Sequence, residues 1–344
     1  MKHFLPATIA SFCLLLASTS LAQNFDNAGE YMSYVSKQQE NITKRFMSYA
    51  SASAHGKKAG KVENLRSRLM NEVQEARMNI NGMPSFKGDK GYRDTAVSFM
   101  KLYYNVLNED YSKIINLEEV AEQSYDEMEA YMLAKEMVDV KLNEGNDKMQ
   151  FSQRKFAADN NITLTESTSP LETMMKDLNG MNKYYKELYL IFFKPYKQEV
   201  YLMQAIEKGN ITGIEQNKSS LLKYAQEGLE KLKTLKPYKA DNSLVTNCRN
   251  ILNFYVKEAD KANVASDFFL AKERFEVVKK EFEKKDNTTK AEVNEFNKAV
   301  NDINKSSQAY NSTNNTLNQQ RSESLNAWNK TTDDFFDNHT PHYN

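Results

Sequence analysis

Apolar residues recur at three- and four-residue spacings through most of this chain. Glycine and proline are too rare to interrupt them, at 11 and 6 in 344 residues. A period near 3.6 puts such residues on one face of a helix. Lys, Glu, Asn, Leu, Met and Ala dominate the rest, residues that favour helix over strand. The expectation is an all-α fold with long helices.

The chain also writes one pattern twice. Gly56-x-x-x-Gly60 recurs as Gly209-x-x-x-Gly213, and a helix-like run follows each. Sliding the sequence along itself pairs Glu63 with Glu215, Ser67 with Ser219, Leu69 with Leu221 and Gln74 with Gln226. It also pairs Glu75 with Glu227, Lys87 with Lys239, Asp89 with Asp241 and Tyr103 with Tyr255. Shared periodicity alone does not explain paired glycines together with a loop that reads Phe-Lys-x-Asp and then Tyr-Lys-x-Asp. We read tandem duplicated units, each resembling a four-helix bundle, set in tandem or joined as one elongated bundle that shares a helix. The expected division is a signal peptide over residues 1–22 and a first unit over 23–160. A polar linker over 161–169, a second unit over 170–335 and a tail over 336–344 complete it.

Each unit has legible helix boundaries. In the first, Tyr31, Val35, Ile42, Phe46 and Tyr49 form one stripe, and Gly56 ends that helix. Pro84 closes the second helix and Asp89 can cap the third. Ser124-x-x-Glu127 is a capping box for a fourth, which reaches about Asp159. In the second unit Ser169-Pro170 opens a helix with proline in its first turn. Pro195 should kink that helix by removing a hydrogen bond to Ile191. The next helix runs to about Leu235, and a third follows Asp241 to about Lys285. Thr289-x-x-Glu292 opens the last, whose seam of Val293, Phe296, Val300, Ile303, Tyr310, Leu317, Leu325 and Trp328 is narrow, like that of a coiled coil.

The N-terminus reads Met1-Lys2-His3, then an apolar run from Phe12 to Ala17, then Ser20-Leu21-Ala22. This is the order of a secretory signal cut after Ala22. Cys13 lies inside the apolar run, so Cys248 is the only cysteine expected in the mature chain. That leaves no intramolecular disulfide and no cysteine-rich zinc site. No later window approaches the ~20 apolar residues of a membrane span. Lys+Arg and Asp+Glu are equal at 46 each, which gives no electrostatic attraction to nucleic acid or an anionic membrane.

Catalytic patterns are missing. There is no phosphate-cradling loop, no nucleophile elbow, no His-Glu-x-x-His and no Glu-x-x-His pair of a di-iron bundle. We therefore expect no catalytic, cofactor-binding or metal-ligating residues. The tail groups Asp333, Asp334, Asp337, His339 and His342 could approach a divalent metal, but a solvated terminus explains them more simply. Cys248 shares a stripe with Leu244, Ile251 and Tyr255, and its paired residue is Ala96, so a buried thiol is the simpler reading than an intermolecular disulfide. The aromatic cluster Tyr184, Tyr185, Tyr189, Phe192, Phe193, Tyr196 and Tyr201 serves either the core or a partner patch. The loops Pro84 to Asp89 and Pro237 to Asp241 read as helix caps, with paired binding spots as the alternative.

The signal-like start, the Asn/Lys-rich helices and the Phe-Lys-x-Asp loop together resemble helical surface proteins of spirochaetes and Bacteroidetes. The resemblance implies an envelope or surface location and brings no catalytic residues with it. The expectation is an exported, non-enzymatic helical protein of the periplasm or cell surface. It would bind a protein or glycan of the envelope through its bundle faces, without cofactor. A carrier of a small apolar ligand, held between helices, is the alternative.

Overall fold

A computed structural model describes residues 25–343 except 57, 111–116, 118–119 and 166–168. The segment read as a signal peptide and part of the expected linker lie outside the described residues. Those described form an all-α protein, with no strand beyond two isolated antiparallel bridges. The helices are α1 (Ala28–Ala54), α2 (Ala59–Asn81), α3 (Gly91–Asn105), α4 (Tyr125–Asp159), α5 (Pro170–Glu207), α6 (Ile211–Lys231), α7 (Ser243–Lys261), α8 (Asn263–Glu283) and α9 (Lys290–His339).

Local chemistry sets the helix starts. Asn27 Oδ1 accepts from the Glu30 amide at 2.9 Å and Ser124 Oγ from the Glu127 amide at 3.1 Å. Ser169 Oγ accepts from Glu172 N at 3.1 Å and Asn210 Oδ1 from Gly213 N at 3.0 Å. At α9 the capping box is reciprocal: Glu292 Oε2 accepts from Thr289 N at 2.8 Å, and Glu292 N donates to Thr289 Oγ1 at 3.3 Å. Each bond satisfies an amide that the first helical turn leaves without a partner.

The chain divides into two compact units. The first runs to Tyr185 and takes back the chain from Phe336 onward, and the second is Lys186–Phe335. The division falls inside α5 rather than in the polar run at 161–169. In unit 1, α1 packs on α2, α2 on α3 and α3 on α4. Its core gathers Tyr31, Phe86, Tyr92 and Phe156, with Phe156 stacked on Tyr31 at 5.3 Å and on Tyr92 at 5.2 Å. Tyr31 Oη donates to Pro84 O at 2.9 Å, so the ring is anchored at both ends. The tail is not a frayed end. Phe336 and Thr340 are buried, Phe336 meets Tyr185 edge-on at 4.6 Å, and Tyr343 N donates to Ser51 Oγ at 3.1 Å.

In unit 2, α6 packs on α7 and α8, and Phe192 stacks on Trp328 at 4.3 Å. Gly228 permits a close approach, since a Cβ there would sit 2.9 Å from Leu252 Cδ1. Along the narrow seam of α9, Tyr310 stacks on Phe268 at 4.8 Å and Phe296 on Phe282 at 4.6 Å. The expected third helix of this unit is interrupted at Ala262, giving α7 and α8. No glycine or proline marks that break. Unit 1 leaves regular α-helix sooner after its aromatic-Lys-x-Asp loop, through a π turn at Val106–Asp110 whose last residue lies as far beyond Asp89 as Ala262 does beyond Asp241.

The two loops share one backbone. Phe86 and Asp89 exchange both backbone hydrogen bonds at 2.9 Å. Tyr238 and Asp241 do the same at 3.2 and 2.8 Å. The central residues lie at positive φ: Lys87 at 49° and Gly88 at 85°, Lys239 at 45° and Ala240 at 68°. This is the doubly left-handed reverse turn. Asp89 Oδ1 then accepts from Gly91 N at 2.7 Å, and Asp241 Oδ1 from Ser243 N at 2.8 Å, so each aspartate leads the next helix out of the turn. Ala240 carries a Cβ where Gly88 does not, at a conformation that costs an L-residue ~1–2 kcal/mol. Ala240→Gly should therefore raise stability by about 0.5–1 kcal/mol, and Gly88→Ala should lower it by a similar amount. Urea unfolding midpoints measure both, and an unchanged or lowered midpoint for Ala240→Gly would contradict the strain.

Candidate functional site

Three helices of unit 2 each place a charged residue on an apolar stripe. On α7, Glu258 continues the line Leu244, Cys248, Ile251, Tyr255, all of them buried. On α5, Glu199 lies between Phe192 and Leu202 on the inner face. On α9, Arg321 falls between Leu317 and Trp328. Helical spacing turns all three inward, and they meet. The guanidinium of Arg321 pairs through Nε with Glu199 Oε1 and through Nη2 with Glu258 Oε1, while Nη1 donates to Asn318 Oδ1. The side chains of Glu199, Glu258 and Arg321 are 4%, 1% and 15% exposed, so one shielded cation serves two buried anions.

The arrangement is short of one positive charge. Burial pushes the Glu258 carboxyl up to about 8, the charge of Glu199 adds to the shift, and Arg321 opposes it. Burial also raises Glu199, against the pull of Arg321. Two carboxylates this close titrate as a pair, so the pair retains a proton at neutral pH. Glu258 Oε2 and the Tyr255 hydroxyl beside it are buried without a hydrogen-bond partner. An unmet buried polar group costs about 1–3 kcal/mol.

Glu258 and Arg321 also close the inner end of a cleft. Its apolar wall includes Leu202, Met203, Ile206, Ala265, Tyr310 and Leu317, and Lys261 stands exposed at its rim. The empty space is about 330 Å³ with the open mouth included. Its enclosed part is narrow, with room for about one water.

In unit 1 the residues at the same sequence offsets are apolar. Counted from the paired turns, Glu258 falls where unit 1 has Val106. Counted from the glycine that ends the first helix of each unit, Glu199 falls where Phe46 lies. Arg321 lies as far before Phe335, which packs on Tyr238, as Leu142 lies before Phe156, which packs on Phe86. Phe46, Val106 and Leu142 are all buried. Positions at matching sequence offsets are thus apolar and buried in unit 1, and charged and buried in unit 2.

Sequence reasoning missed this cluster. The signal was available, because each of the three charges interrupts an otherwise apolar stripe. The residues it did single out fall elsewhere. In unit 1, His55 and His342 stack at 3.9 Å, and His55 Nε2 lies 3.8 Å from Asp337 Oδ1. Stacked rings set their nitrogens side by side rather than toward one point. Among the described residues no three His, Cys, Asp or Glu are placed to hold a metal ion. Cys248 is a fully buried free thiol, its pKa pushed up to about 12 by burial. In unit 1 Tyr184 is buried and Tyr185 half-buried. In unit 2 Tyr189, Phe192 and Phe193 are buried and Tyr196 and Tyr201 half-buried, so this cluster mostly fills cores.

Removing Arg321 strands two buried carboxylates. Arg321→Leu should cost ~3–5 kcal/mol, whereas Glu199→Leu/Glu258→Val/Arg321→Leu together should be neutral or stabilising by about 1–4 kcal/mol. The pH dependence has a definite sign. Glu258 holds its proton to higher pH in the folded unit than in the unfolded chain. Stability is therefore greatest below the unfolded value, about 4.3, and falls as pH rises toward 8. Urea unfolding across that range measures the slope, which Glu258→Gln should remove. A wild-type slope of the opposite sign would contradict the buried shared proton.

Compared with models of protein families, with curated proteins and with solved structures, the chain matches none.

Proposed function

We propose that this is a non-enzymatic binding protein whose second unit takes a slender amphiphile between α5, α7, α8 and α9. The cleft with apolar walls and a polar inner end supports this reading. Its enclosed part takes about one water and the rest opens to solvent, so a ligand would lie along an open groove with only its tip enclosed. Its narrowness suits an alkyl chain rather than a fused ring system. We read the two units as a duplication in which the second exchanged an apolar layer, Phe46, Val106 and Leu142, for Glu199, Glu258 and Arg321. The shared reverse turns and the shared break after the third helix support that descent. Titrating the protein with n-hexanol should shift the methyl resonances of Met203, Ile206, Val264 and Leu317, and Ala265→Phe should abolish those shifts by filling the cleft. Shifts spread over unrelated methyls, or the same shifts in Ala265→Phe, would contradict the assignment.

A second reading draws on α4, which exposes Leu133, Met137 and Val140 at four- and three-residue spacing, with Phe151 beyond them. We infer that this stripe seats an apolar helix of an envelope protein, with export directed by residues 1–22. No helix among the described residues is long and apolar enough to cross a membrane. Recovery from an envelope fraction tests both points. The mature chain should begin at Gln23 and bring down a partner that Met137→Lys/Val140→Lys loses. An N-terminus at Met1 would remove the export reading, and an unchanged partner set would remove the stripe.

A further inference from the structure

We propose that the cleft of unit 2 is selective for a cationic head group, and that its ligand is an alkylamine whose ammonium seats against Glu258. The inference deepens the binding reading above and rests on it.

The inner end of the cleft supplies the acceptor. Glu258 is buried, lines the cleft and keeps Oε2 without a partner. An ammonium carries three donors and no acceptor, which matches a carboxylate oxygen left unmet. Charge agrees with this geometry. The groups around Glu258 are Glu199 and Tyr196 from α5, Tyr255 and Lys261 from α7, and Arg321 and Tyr310 from α9. Of the cations, Arg321 is already held between two carboxylates, and Lys261 is exposed at the rim. With both carboxylates ionised the interior end is one positive charge short, and a bound ammonium supplies it. A carboxylate ligand would add a third anion to the same place.

The equivalent layer of unit 1 shows that helices of this kind pack without charge at these positions. Phe46, Val106 and Leu142 fill it with apolar side chains. The ionic layer is therefore an addition to the packing rather than a requirement of it, and it coincides with the cleft.

Seating an ammonium has a balanced proton ledger. Glu258 enters protonated and the amine enters as its ammonium. The Glu258 O–H bond breaks, the carboxylate accepts a hydrogen bond from the ammonium, and one proton leaves to solvent. The favourable charge pair formed in a dry site drives the ionisation.

The test is calorimetry near neutral pH with n-hexylamine, n-hexanol and n-hexanoate, each in two buffers of different ionisation enthalpy. The expected order is amine tightest by about tenfold or more, with uptake of close to one proton by the buffer for the amine alone. Glu258→Gln should lose that preference and the proton release while keeping hexanol binding. Glu258→Val, which copies unit 1, provides the same comparison should the glutamine variant fold poorly. Equal affinity for amine and alcohol, or tighter binding of hexanoate, would overturn the amine assignment and leave the cleft as a ligand site. No binding of any of the three would overturn both.

Discussion

Two carboxylates and one guanidinium share the dry interior of a helical unit, and that imbalance governs how unit 2 is built. Removing each ion from water costs several kcal/mol. Each ion pair returns about 4 kcal/mol at 4 Å and an effective dielectric near 20. The terms roughly cancel, so the cluster contributes specificity rather than net stability. It ties α5, α7 and α9 together at a single level, because Arg321 can reach both Glu199 and Glu258 only if all three helices hold their register. Burial first, and the charge of Glu199 second, account for the retained proton on Glu258.

The two units answer the same packing problem differently. Both end a first helix at a left-handed glycine, Gly56 and Gly209, and both pass through a doubly left-handed turn into a third helix. Both seat an aromatic from the last helix on that turn, Phe156 on Phe86 and Phe335 on Tyr238. At the level beyond, unit 1 closes with apolar side chains, while unit 2 places charge and leaves a cleft beside it.

Much of the fold was legible in the sequence because its signals are local. Ser124 with Glu127, Thr289 with Glu292, and Ser169 before Pro170 sit within one turn of the amides they satisfy. The aspartates of the paired loops are not the caps expected: the N-caps are Lys90 and Asn242, without a side-chain cap bond, and each aspartate, one residue earlier, accepts from the amide two residues on. The break at Ala262 was hidden, because neither glycine nor proline marks it and the apolar stripe runs through it. Docking of the tail on unit 1 was hidden too, since Phe336, Thr340 and Tyr343 look like the end of a solvated helix until Ser51 and Tyr185 are placed beside them. The ionic cluster was half visible. A charge on an apolar stripe can be read from spacing, but the partner that neutralises it lies far along the chain, and spacing does not name it.

The most direct test of the buried, proton-holding pair is the carboxyl carbon shift of Glu258, followed by NMR through a pH titration with Glu258→Gln to assign it. The account predicts a midpoint near 8. A midpoint in the ordinary range of about 4–5 would mean that Glu258 is solvated and unconstrained, and the ionic layer as described would not exist.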